Sequence, residues 1–131
     1  MSVTAFHLFK KIDGMPDAKV HAVIDDIEKI QGNPLLCIIC HKLITSEAET
    51  VEISGQHFHT CTNPANIVFN IRCFTLAPGC TPVGMATFEH TWFNGYCWQI
   101  VLCKDCGEHL GWYFKNSGSF YGLIADRLIS E

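Results

Sequence analysis

Basic residues are scarce in this chain. Nine Lys and Arg stand against thirteen Asp and Glu, for a formal net charge of −4 over 131 residues. The nine are scattered. No basic patch forms to neutralise phosphates, so a nucleic-acid surface is not expected. Long apolar runs are missing as well. Hydrophobic residues make up 48% of the chain, yet no run approaches the roughly 18 residues of a membrane span. The start, Met1 to Lys11, carries Phe6, Leu8 and Phe9 without a continuous apolar stretch, so no secretory signal is read there. Internal repeats and low-complexity segments are absent, apart from two similar cysteine pairs described next.

Eight cysteines are present. Without a signal peptide, a reducing compartment is expected, where thiols stay free. The expected location is the cytoplasm, with the nucleus added if the source is eukaryotic. Two pairs share one pattern: Leu36-Cys37-Ile38-Ile39-Cys40-His41 and Leu102-Cys103-Lys104-Asp105-Cys106-Gly107. A disulfide within Cys-x-x-Cys would close a tiny loop and gain little entropy. Two tight turns that each aim two sulfurs at one point suit a tetrahedral Zn²⁺ instead. Cys37, Cys40, Cys103 and Cys106 are therefore the expected ligands of one zinc ion. Four thiolates leave no open position for water, so the ion is structural. A nucleobase deaminase would also need a His-x-Glu, and the chain has none. Cys61, Cys73, Cys80 and Cys97 follow no pairing pattern and read as small core hydrophobes.

Along the chain, residues 17–31 carry Val20, Val23, Ile24, Ile27 and Ile30 at helical spacing. Asp17 fits an N-cap and Gly32 a C-terminal stop. This short helix belongs to an N-terminal extension, 1–33; a β domain, 34–131, follows the Asn33-Pro34 boundary. Within 66–76, Ile67, Phe69, Ile71 and Cys73 alternate with Asn66, Asn70 and Arg72, as on a strand with one buried face. Residues 96–103 are apolar on both faces and read as a central strand. Two further strands, 110–114 and 119–123, are joined by a turn at Asn116-Ser117-Gly118. Residues 123–129 fit a short helix or a strand. The expected class is mainly β and antiparallel.

All three tryptophans, Trp92, Trp98 and Trp112, flank the second cysteine pair. Trp92 and Trp98 stand on either side of an Asn94-Gly95 turn. Trp112 and Phe114 are two apart on an expected strand and so project from one face. If strands 96–103 and 110–114 pair, the faces converge on a small cavity. Ordinary core packing is the alternative, because aromatics dominate cores. A cage could hold a methylated ammonium by cation–π attraction, or a small flat ring by burial.

Residues 90–114, His-Thr-Trp-Phe-Asn-Gly-Tyr-Cys-Trp-Gln-Ile-Val-Leu-Cys-Lys-Asp-Cys-Gly-Glu-His-Leu-Gly-Trp-Tyr-Phe, resemble the thalidomide-binding (CULT) domain of the cereblon family. Asn63-Pro64 resembles the family's Asn-Pro loop, and Phe120-Tyr121-Gly122-Leu123 its aromatic-Gly-Leu ending. The resemblance spans about residues 35–130. It implies a β-tent, two antiparallel sheets pinned by one structural zinc. It also implies non-catalytic binding of cyclic imides, either the glutarimide of thalidomide-type drugs or cyclised C-termini of proteins. By motif match, Trp92, Trp98 and Trp112 form the cage and Phe114 its floor. The backbone from Glu89 to Trp92, around His90, reads the imide edge, and Asn63 and Pro64 sit on the rim. Ala65, Ile67 and Phe69 stand where animal members are expected to be more polar. The segment before Pro34 is too short for a LON domain or an adaptor-docking region, so a ubiquitin-ligase adaptor is not expected to engage this chain alone.

Two other readings compete. One is a zinc-stapled interaction module of the Yippee type, with the aromatics as core. The other is a methionine sulfoxide reductase of the B type. That chemistry needs a late reactive cysteine, and none follows Cys106.

Overall fold

The computed structural model describes residues 32–130. The expected helix 17–31 lies outside these residues, and of the 1–33 extension only Gly32 and Asn33 are described. Nine strands form among the described residues: β1 (Pro34–Cys37), β2 (Leu43–Ser46), β3 (Phe58–Thr62), β4 (Val68–Phe74), β5 (Cys80–Thr87), β6 (Cys97–Cys103), β7 (His109–Lys115), β8 (Ser119–Ile124) and β9 (Leu128–Ser130). Short 3-10 turns cover Glu47–Glu49 and Ala125–Arg127. The segment 123–129 is thus the end of one strand, a turn and most of another.

The strands make two antiparallel sheets. The smaller has the order β2-β1-β9, the larger β3-β4-β8-β7-β6-β5. This is the mainly β, antiparallel class read from the residues and the two-sheet arrangement that the resemblance implied. Strand β6 is paired on both sides, with β5 and β7, as its apolar faces suggested. The β7–β8 hairpin turns at Asn116-Ser117-Gly118, where the Asn116 side chain accepts the Gly118 N–H at 2.7 Å.

Alternation splits the large sheet between two cores. Leu35, Ile44, Phe74, Val101, Leu110 and Leu123 pack in one, together with the buried Cys37 and Cys103. Ile71, Cys73, Phe93, Trp112, Phe114 and Phe120 form the other. Leu110 and Trp112 break the rule. They are two apart on β7, yet they belong to different cores. Gly111 between them has φ 156°, and the pairing with β6 shifts register between Val101 and Leu102. This local twist is what delivers the Trp112 indole to the second core.

An ion pair ties the first 3-10 turn to the large sheet. Arg72 reaches Glu47 with both terminal nitrogens and hydrogen-bonds His57 at 3.0 Å. Its guanidinium also lies over the Phe74 ring. The Arg72 hydrogen bonds hold the Glu47 carboxyl below its ordinary pKa.

Candidate functional site: a four-cysteine centre and an aromatic cavity

The two cysteine turns are near copies in backbone as well as in sequence. Cys37 N–H donates to the Lys42 carbonyl and His41 N–H to the Cys37 carbonyl, at 2.9 and 2.8 Å. Cys103 and Gly107 repeat this with Glu108 and Cys103, at 2.8 and 3.0 Å. The residue after each second cysteine, His41 or Gly107, is left-handed, with φ 62° and 80°. One turn joins β1 to β2 in the small sheet, the other β6 to β7 in the large sheet.

The four sulfurs meet, all within 4.8 Å of one another. Cys37 Sγ is 3.7 Å from Cys106 Sγ, and Cys40 Sγ is 3.5 Å from Cys103 Sγ. A disulfide would bring sulfurs to about 2.05 Å. A tetrahedral zinc with Zn–S of about 2.3 Å sets sulfurs about 3.8 Å apart. The donor set and spacing fit one zinc ion held by Cys37, Cys40, Cys103 and Cys106. Neither His41 nor His109 joins the cluster.

The thiols of this cluster do not share one setting. Desolvation pushes Cys40 up to about 12, although the Lys42 backbone opposes it. At Cys103, desolvation also raises the pKa, but hydrogen bonds from the Cys106 and Asp105 backbone help bring the net below the ordinary value. Such N–H donors are the outer support that metal thiolates use. The remaining cysteines are free thiols. Burial pushes Cys73 and Cys80 up to about 12, which leaves them unreactive.

A cavity of about 510 Å³ opens on the large sheet, lined by none of the four cysteines. Register builds it. Trp98 is directly opposite Phe114, and Ile100 directly opposite Trp112, across the β6–β7 pair. Pairs in register project from the same face of a sheet, so these four side chains share one wall. Trp112 sits amid three edge-on rings: Trp92, His109 and Phe69, with centroids at 4.7, 4.9 and 5.1 Å. Gly122, opposite Trp112 on β8, leaves room for the floor. A Cβ there would come within 2.9 Å of both Phe114 Cε2 and Ile71 Cδ1.

Both outer indoles are anchored through their N–H. Trp98 Nε1 donates to the Glu89 carbonyl at 2.8 Å, and Trp92 Nε1 to the Thr62 carbonyl at 3.0 Å. The loop they frame turns at Phe88–Thr91, closed by Thr91 N–H to the Phe88 carbonyl at 3.3 Å. His90 holds φ 54° in this turn, a conformation costly for a non-glycine residue and common at functional sites. On the other rim, the Asn63 side chain accepts the Ala65 and Ile67 N–H groups at 2.9 Å each. Its oxygen therefore shapes its own loop.

All eight residues singled out from sequence, Asn63, Pro64, Glu89, His90, Trp92, Trp98, Trp112 and Phe114, line this one cavity. Phe69 lines it too, as do Thr87, Ile100 and His109, which sequence reasoning missed. Ile100 was within reach: it shares the strand parity of Trp98. His109 is half-buried, and desolvation holds its imidazole below the ordinary histidine pKa. Its Nε2–H donates to the Gly111 carbonyl at 3.0 Å.

The fold and site together define a β domain whose two sheets are joined by a four-cysteine zinc site and whose large sheet carries a tryptophan-lined cavity. No family model matches the chain. Among curated proteins, cereblon from Danio rerio is 30% identical over 103 residues, covering 72% of this chain and 24% of the relative. Cereblon from Gallus gallus is 38% identical over 52 residues, covering 35% and 12%. Cereblon from Drosophila willistoni is 56% identical over 32 residues, covering 24% and 5%. The chain belongs to the cereblon family and corresponds to its CULT domain. It spans at most about a quarter of the length of these relatives. They lend no support to the Yippee-type or reductase readings.

Proposed function

We propose that the cavity binds cyclic imides without catalysis. Its ligands would be the glutarimide of thalidomide-type drugs and proteins that end in a cyclised C-terminal imide. The carrying observation is the convergence of the chain's three tryptophans on one cavity, with a strained loop at its mouth. A glutarimide has an apolar saturated edge and a polar donor–acceptor edge. The indole walls and Phe114 suit the first. Backbone groups suit the second, because an unpaired imide group in a dry site would cost about 1–3 kcal/mol. No described residue takes the backbone N–H of His90 or Trp92, so these donors are available at the mouth.

The anchored indoles favour a preformed site, since a ligand need not order them first. The zinc supports the walls and takes no part in chemistry, because four thiolates fill its coordination.

Calorimetric titration of the zinc-loaded protein with glutarimide is expected to show saturable one-site binding. Uridine and a methylated ammonium serve as rival ligands. Trp98→Ala is expected to weaken glutarimide binding at least about 30-fold, since one wall and its tie to Glu89 are lost. Heat release with the ammonium but none with glutarimide would sink the reading.

A further inference from the structure

We propose that the mouth of the cavity reads the residue that precedes the imide in a protein ligand, and that it selects an apolar residue over an acidic one. This rests on the imide reading above. A ring seated among the tryptophans leaves the chain it terminates at the mouth. The preceding residue follows within one Cα–Cα step of about 3.8 Å, so it must lie against the lips.

Those lips expose apolar side chains among their polar ones. On one side, Ile67 shares the alternation of Phe69, which lines the cavity, and it is 52% exposed. Two hydrogen bonds tie its backbone to Asn63 on the rim, at 2.9 Å each. Pro64 lines the same side. Ile100 also lines the cavity and is 37% exposed. Phe88, 65% exposed, stands between the lining residues Thr87 and Glu89. Exposed apolar groups continuous with a cavity mark a binding surface more often than chance exposure does.

The charge at the mouth has one sign. Glu89 is the sole Asp, Glu, Lys or Arg among the lining residues. Its carboxylate makes no ion pair with a described residue. An acidic residue before the ring would meet this carboxylate with no cation to offset it, and would lose water against Ile67 and Ile100.

The test is calorimetry on the full zinc-loaded chain with N-acetylated tripeptides that end in a glutarimide ring. Leu, Gly or Asp precedes the ring. The Leu peptide is expected to bind about tenfold tighter than the Gly peptide, from partial burial of its side chain. The Asp peptide is expected to bind about tenfold weaker than Gly at low salt, with the gap closing as salt screens it. Ile67→Ser should bring Leu and Gly together, and Glu89→Gln should bring Asp and Gly together. Three wild-type affinities within twofold of each other would overturn the proposal while leaving imide binding intact. Failure of the Gly peptide and of free glutarimide alike would instead remove the reading beneath it.

Discussion

Stripping zinc from this domain is expected to unfold it. Structural zinc contributes roughly 10–16 kcal/mol of apparent binding energy in small zinc domains at neutral pH. Whole domains are stable by only about 5–15 kcal/mol. Removal of the ion therefore outweighs what the cores supply. Here the loss falls on the join between the sheets. Cys37 and Cys40 come from the small sheet, Cys103 and Cys106 from the large one, with sequence separations of 69 and 63 across the two closest sulfur pairs. Leu35, Ile44 and Leu128 of β2-β1-β9 share one core with Phe74, Val101 and Leu110 of the large sheet, and the ion is the link that holds that shared core closed. Circular dichroism with a strong chelator should show loss of the cooperative thermal transition, and zinc analysis should return one ion per folded chain. Cys103→Ser should behave in the same way. Acid should act in the chelator's direction, because zinc takes thiolates and expels their protons; affinity rises with pH. A chelated, metal-free protein that still melts cooperatively near the original temperature would show that the cysteines are ordinary core.

The second large effect is expected from a single methyl group. In Gly111→Ala the new Cβ would collide with the Gly122 carbonyl oxygen and come within 2.8 Å of Leu123 Cα. Both partners are backbone of β8, so neither can swing aside. The φ of 156° is also one that L side chains rarely adopt. Relief requires β7 and β8 to separate at the centre of the large sheet. Overpacking of a well-filled interior costs about 1–3 kcal/mol, and a backbone collision belongs at the top of that range. A loss of about 3 kcal/mol lowers the midpoint of a domain this size by more than about 10 °C. Gly118→Ala is the control, since the nearest atom there is 3.9 Å away, and its midpoint should stay within a few degrees. Equal midpoints for the two variants would contradict the geometry.

The parts of the site that could be read from sequence are those in which chemistry or periodicity fixes spacing. Cys-x-x-Cys is dictated by a tetrahedral ion, so the metal centre was legible from four residues. Trp98, Trp112 and Phe114 were legible because a strand alternates every second residue. The strands that escaped notice carry mixed signals. In β5, Pro82 and Gly84 look like breakers, yet β5 is the edge of its sheet, where a missing N–H costs nothing. In β3, the half-buried His59 and Cys61 alternate with the exposed Phe58, Thr60 and Thr62 and show no apolar stripe. Missing β5 hid Thr87. The twist at Gly111 was invisible for another reason: nothing in Leu110-Gly111-Trp112 says that the two large residues part company.

The anchored indoles carry a spectroscopic consequence. All the tryptophan in the chain is in the cavity wall, so near-ultraviolet absorption by indole has a single structural origin. Trp92 and Trp112 stand 4.7 Å apart with planes at 77°, close enough for their excited states to couple. The domain thus carries a native chromophore pair whose optical activity depends on the shape of the cavity, and no label need be attached to watch that shape change.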